Sequence, residues 1–143
     1  MRVIRKMLLA AGLLMLMLVL APAAAQSRLQ RGKLQQMQDT YAASIRWGDF
    51  ENAWQAVDPA YKLEHPMTEL EFERYQQVQI SGYRDVSTSA GPDGTVERAV
   101  ELRVINKHTM AERTLRYRER WRWDPEMKRW WLVAGLPDLW DGE

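Results

Sequence analysis

The sequence predicts an α+β domain in which N-terminal helices cover one face of an antiparallel meander sheet. Two patterns carry this reading. In the first half of the chain, apolar residues recur at helical spacing, at Leu34, Met37, Tyr41 and Ile45. In the second half they alternate with polar residues over Thr95–Ile105 and Met110–Trp123, the period of a strand with one buried face.

The elements follow in chain order. Residues 1–25 read as a cleavable secretory signal. Arg2, Arg5 and Lys6 form a basic start, and Met7–Ala21 is apolar. Pro22 then precedes Ala23-Ala24-Ala25, small residues of the kind a signal peptidase reads. The apolar run is shorter than the roughly 20 residues a membrane span needs, so cleavage is expected between Ala25 and Gln26. Residues 26–33 are polar and are expected to form a flexible lead-in, with one domain over 34–143.

Gly48 stops the first helix, because glycine adopts the left-handed cap without strain. Asp49 caps a short second helix with Phe50, Ala53, Trp54 and Val57 on its apolar face. Asp58-Pro59 is read as its end, and Ala60–Met67 as irregular. Thr68 and Glu71 form a capping box for a third helix reaching about Val78, which buries some of Leu70, Phe72, Tyr75 and Val78.

Ile80–Ala90 is compatible with a strand but alternates weakly. Gly91-Pro92-Asp93-Gly94 is a turn. In the next strand Val96, Val100, Leu102 and Val104 share a face on which Arg98 intrudes. Placing Lys107 and His108 at the centre of the following hairpin sets Glu97 opposite Arg118 and Arg103 opposite Glu112. The same register sets Val100 opposite Leu115 and Val104 opposite Ala111. Along Met110–Trp123, Leu115, Tyr117, Trp121 and Trp123 face one way, and Thr114, Arg116, Arg118, Arg120 and Arg122 the other. Trp130–Leu136 reads as a strand buried on both faces, ended by Pro137, with a tail in which Trp140 folds back.

Charge and composition narrow the function. The chain has 20 basic and 19 acidic side chains. Removing Arg2, Arg5 and Lys6 with the signal leaves 17 against 19, a net charge of −2. That balance gives no basic excess for a nucleic-acid partner. The chain has no cysteine, which excludes disulfides, thiolate metal sites, a cysteine nucleophile and a lipidated cysteine anchor. The domain must therefore be held by its core, to which seven tryptophans contribute. The leader is of bacterial type, so the expected location is the periplasm or the medium.

Few residues point to chemistry. His65 follows Glu64 in the irregular stretch, where a histidine beside a carboxylate can act as a general base. His108 lies in the hairpin turn. No ligand spacing suggests a metal, and no glycine-rich phosphate loop or nucleophile elbow suggests a cofactor or a serine hydrolase. Tyr41, Trp54, Tyr117, Trp121 and Trp131 are candidates to line a pocket between helices and sheet, with His65 at its mouth. The arginines Arg116, Arg118, Arg120 and Arg122 are the candidate partner surface.

The run Ile45-Arg46-Trp47-Gly48-Asp49-Phe50-Glu51-Asn52-Ala53 is helix, Gly-Asp stop, then a small amphipathic helix. It is followed by a third helix, long hairpin strands and the pair Trp121-Arg122-Trp123 and Trp130-Trp131-Leu132-Val133. In this order, from Leu34 to Leu136, the chain resembles the NTF2-like superfamily, which includes nuclear transport factor 2, ketosteroid isomerase and the SnoaL-type cyclases. The resemblance implies helices packed on a curved, cone-like sheet, and homodimers are plausible by the same resemblance. The isomerase branch uses an aspartate base with a tyrosine and a protonated aspartate as oxyanion donors. Tyr41 stands where a family tyrosine could, His65 is the nearest titratable group to the base position, and the inward strand face is read as offering Leu115, Tyr117 and Trp121 without an acidic partner. The resulting expectation is an exported, non-catalytic domain that binds a small molecule, a peptide or an envelope protein. The alternatives are an isomerase- or dehydratase-type enzyme using His65 or a pocket carboxylate with Tyr41, and a structural accessory module of an envelope complex.

Overall fold

The structure is a computed structural model that describes residues 28–140. The expected signal, its cleavage point and Gln26 lie outside the described residues. The chain divides into two units, Met1–Lys33 and Leu34–Glu143. The described part of the first, residues 28–33, is helical. Helix α1 covers residues 28–47, and within the second unit it buries Leu34, Gln38, Tyr41, Ala42, Ser44 and Ile45. Gly48 ends it at φ +73°, with the Asp49 N–H donating to the Ser44 carbonyl at 2.9 Å. Asp49 then accepts from the Asn52 N–H and caps helix α2, Phe50–Trp54.

The segment after α2 departs from expectation. Val57 is not helical: it bridges Leu132 in parallel, with Leu132 N–H donating to Ala56 O and Asp58 N–H to Leu132 O, both at 2.8 Å. Pro59 starts a helix instead of ending one. Helix α3, Pro59–Glu64, is capped by the Asp58 side chain, which accepts from the Ala60 N–H. Proline at the first helical position loses no hydrogen bond, since that N–H has no partner inside the helix. Helix α4, Glu69–Tyr75, carries the expected capping box of Thr68 and Glu71. It buries Tyr75 and leaves Leu70 74% exposed.

One four-stranded antiparallel sheet follows in the order β1-β2-β3-β4, so the fold is α+β. The strands are β1 (Val78–Ala90), β2 (Val96–Asn106), β3 (Glu112–Asp124) and β4 (Arg129–Leu132). Val78 thus opens a strand instead of closing a helix. Register shifts between Ile80 and Gly82 and between Asp85 and Ser87 explain the weak alternation of β1: each inserts a residue and resets which parity faces inward. Strand β4 stops at Leu132, four residues before the expected Leu136.

The β2–β3 register also differs. Glu97 pairs with Arg120, Leu102 with Leu115 and Ile105 with Glu112. The turn is wider than a two-residue hairpin. The Asn106 side chain accepts from the His108 and Thr109 N–H groups, and Met110 takes φ +58° before β3 starts. The displacement from the expected register is two residues, so every side chain keeps its face while every partner changes.

The core lies between α1, α2 and the inner sheet face. Ile45, Phe50, Val57, Val100, Leu102, Val104, Trp121 and Leu132 are each 1% exposed or less. The tail closes one end, with Leu139 fully buried and the Trp140 ring edge-on to Tyr75 at 4.9 Å.

Candidate functional site

Two polar arrangements stand out, one inside the sheet's covered face and one on its open face. The inner one begins at Arg98, the intruding arginine of β2. Its cross-strand partner is Glu119, which is fully buried. Arg98 Nε donates to Glu119 Oε2 at 2.9 Å, and Arg98 Nη2 to Oε1 at 3.1 Å. Trp121 Nε1 adds a bond to Oε2 at 2.9 Å, and the Tyr83 hydroxyl donates to Oε1. Arg98 Nη2 donates to the Tyr83 oxygen at 2.7 Å, and its Nη1 lies 3.5 Å from the half-exposed Asp85. Burial raises the Glu119 carboxyl above the usual range, with the Arg98 guanidinium and the Tyr83 and Trp121 donors pulling the other way. Burial, with the Glu119 charge nearby, also holds the Tyr83 phenol well above its ordinary value.

Beside this network Tyr41 and Tyr117 share a hydrogen bond at 3.0 Å, and the Tyr117 hydroxyl donates to Gly135 O at 2.6 Å. Burial pushes both phenols well up, so both stay protonated. The Tyr41 ring meets Trp121 edge-on at 5.6 Å. Gly135 is held at φ +70°, and a Cβ there would stand 2.6 Å from the Tyr61 hydroxyl, so the close approach needs glycine.

Of the six expected pocket residues, the structure brings together Tyr41, Tyr117 and Trp121. Tyr41 links the other two, by its hydrogen bond to Tyr117 and its edge-on contact with Trp121, with Tyr41 1% and Trp121 0% exposed. Trp54 sits apart, edge-on to Phe72 at 6.4 Å and under the Lys62 ammonium. His65 is exposed and stacked on Tyr61 at 4.3 Å. Trp131 falls on the opposite face of the sheet from Trp121. It pairs with Arg122, donates to Asp124 Oδ2 at 3.0 Å and lies under the Arg129 guanidinium at 3.6 Å. The inner face does hold an acidic group, Glu119, contrary to expectation. Its position follows the same alternation as Leu115, Tyr117 and Trp121, so the signal was two charged residues breaking the apolar pattern on neighbouring strands.

The outer face carries Arg116, Arg118, Arg120 and Arg122. The register orders it into rows. Arg84, Glu101 and Arg116 form one, Ser87, Ala99 and Arg118 the next, and Ser89, Glu97 and Arg120 the third. Glu101 accepts from Arg84 Nη2 at 2.9 Å, and its carboxyl is held low by that bond. Glu97 accepts from Arg120 Nε and Nη2 at 3.1 and 2.8 Å. A cleft of about 300 Å³ opens here, lined by Glu97, Arg118, Glu119, Arg120, Val133 and Ala134.

At the end of this face Arg122 Nε donates to Asp58 Oδ2. Against the burial that would raise it, this bond and the Ala60 N–H hold the Asp58 carboxyl below its usual range. A depressed carboxyl contributes stability above its unfolded value and loses it as pH falls through the folded one. The protein is therefore expected to lose stability as pH drops below about 4. Asp58→Asn, which keeps the helix cap, is expected to flatten that limb and cost about 1 kcal/mol at neutral pH, read by urea unfolding across pH. An unchanged acid limb would exclude Asp58 as its source.

Among the described residues no cluster of His, Asp or Glu side chains is arranged to hold a metal ion, and no helix is long and apolar enough to cross a membrane. No known protein family, curated protein or solved structure matches the chain.

Proposed function

We propose that the chain is an exported, non-catalytic domain of the NTF2-like type that docks an acidic protein partner on the open face of its sheet. The observation that carries the reading is the row of Arg116, Arg118 and Arg120 along one exposed strand face, over the cleft described above. The interior speaks for the non-catalytic part. Tyr41 and Tyr117 bond each other and Gly135 O, Arg98, Glu119 and Tyr83 bond one another, and Trp121 and Tyr41 are buried in the core beside them.

Charge separation supports the choice of partner. Residues 49–76 hold seven carboxylates against Lys62 and Arg74, whereas β3 turns four arginines outward. A domain with net charge near zero can steer an acidic partner when its cations share one face. The test is fluorescence anisotropy of labelled poly-L-glutamate with the full chain at low and physiological salt. Salt-sensitive binding is expected, weakened about tenfold or more in the triple variant Arg116→Gln/Arg118→Gln/Arg120→Gln. Equal affinity in the triple variant, or no binding at low salt, would overturn the reading.

An isomerase-type reading has one observation in its favour, the Glu119 carboxylate beside the Tyr83 hydroxyl. It requires substrate to displace the Arg98 guanidinium from a side chain with no exposed surface.

A further inference from the structure

The three rows of the outer face are built on one scheme with one omission. In the first, a glutamate of β2 stands between Arg84 and Arg116. In the third, a glutamate of β2 stands beside Arg120. In the middle row that position is Ala99, and the β1 residue is Ser87. Both glutamates are engaged, Glu101 by Arg84 and Glu97 by Arg120. Arg118 is left with no ion-pair or hydrogen-bond partner among the described residues, between two further arginines on its own strand.

The missing side chain leaves space as well as charge. A hollow of about 120 Å³ is lined by Ser87, Ser89, Glu97, Arg98, Ala99 and Arg118. It shares Glu97 and Arg118 with the larger cleft, so the two adjoin at these residues. The Ser87 and Ser89 hydroxyls have no hydrogen-bond partner among the described residues. A guanidinium offers two parallel donors to a carboxylate, and hydroxyls can donate to its remaining lone pairs. The flanking Glu97 and Glu101 carboxylates disfavour a dianion such as phosphate and leave room for one negative charge.

We propose that the hollow over Ala99 is the seat of one Asp or Glu side chain from an acidic segment of a partner protein, paired with Arg118 and supplying the carboxylate that β2 omits in this row. The inference rests on the docking reading above and names its central contact. The segment would run from the Ser87 side towards Val133 and Ala134, over the two adjoining clefts.

The decisive variant is Ala99→Glu, which places the omitted carboxylate in register opposite Arg118. In the full chain it is expected to hold or raise the thermal midpoint and to weaken poly-L-glutamate binding about tenfold. Arg118→Gln is expected to weaken binding equally, and the double variant no further, because both remove one contact. Arg118→Gln also keeps the test open if Ala99→Glu does not fold. Full-affinity binding by both variants, alongside loss in the triple arginine variant, would overturn this seat and leave the docking reading standing. Binding of polyphosphate in preference to poly-L-glutamate would overturn the choice of a carboxylate. Concentration-dependent self-association in sedimentation that Ala99→Glu abolishes, without poly-L-glutamate binding, would make a second copy the occupant and overturn the partner assignment.

Discussion

Arg98→Ala is expected to destabilise the protein by about 3–5 kcal/mol, because it leaves Glu119 charged, fully buried and without its counter-ion. That is a large share of the 5–15 kcal/mol by which domains are usually stable. The variant is expected to unfold in urea at a much lower midpoint, with circular dichroism as the readout. Its pH dependence carries the cause. Without the guanidinium, burial raises the Glu119 carboxyl further, so the folded state binds a proton more tightly than the unfolded one. The Glu119 contribution to the stability of Arg98→Ala is then fully present only below about pH 4 and is lost as pH rises towards neutral, on top of the acid limb set by Asp58. The double variant Arg98→Met/Glu119→Met removes both charges and is expected to recover much of the loss. A cost under about 1 kcal/mol for Arg98→Ala would mean that water reaches Glu119.

Trp121→Ala is expected to cost a similar amount, about 3–5 kcal/mol. The side chain is fully buried, meets Tyr41 edge-on and pairs its strand neighbour Leu132 across the inner face. Trp121→Phe separates packing from hydrogen bonding. It keeps a ring against Tyr41 but deprives Glu119 Oε2 of the indole donor. The expected cost is about 1–3 kcal/mol. If Trp121→Phe were as damaging as Trp121→Ala, the hydrogen bond and not the ring would dominate at this position.

Much of this architecture could be read from local patterns. The Gly48-Asp49 stop, the Thr68–Glu71 capping box and the faces of β2 and β3 depend on residues a few positions apart, and each appears where local chemistry puts it. Asp58-Pro59 reads as the end of a helix, whereas the same pair starts one here. What decided it was Leu132, whose N–H donates to Ala56 O and whose carbonyl accepts from Asp58 N–H, so that the chain leaves α2 there and a new helix starts at Pro59.

The candidate sites divide along the same line. Alternation alone determined that Arg116, Arg118, Arg120 and Arg122 share one face and that Leu115, Tyr117 and Trp121 share the other, because the period of a strand is a property of the backbone. Partnership across strands belonged to the tertiary structure. A hairpin turn built on the Asn106 side chain moved the register by two residues, gave Glu97 to Arg120 in place of Arg118, and left Arg118 facing Ala99. The same assembly sent Trp131 to the outer face and joined Arg98 to Glu119 inside. Side-chain direction is set residue by residue along the chain, whereas partners are set by where distant segments meet, and that is decided only when the core closes.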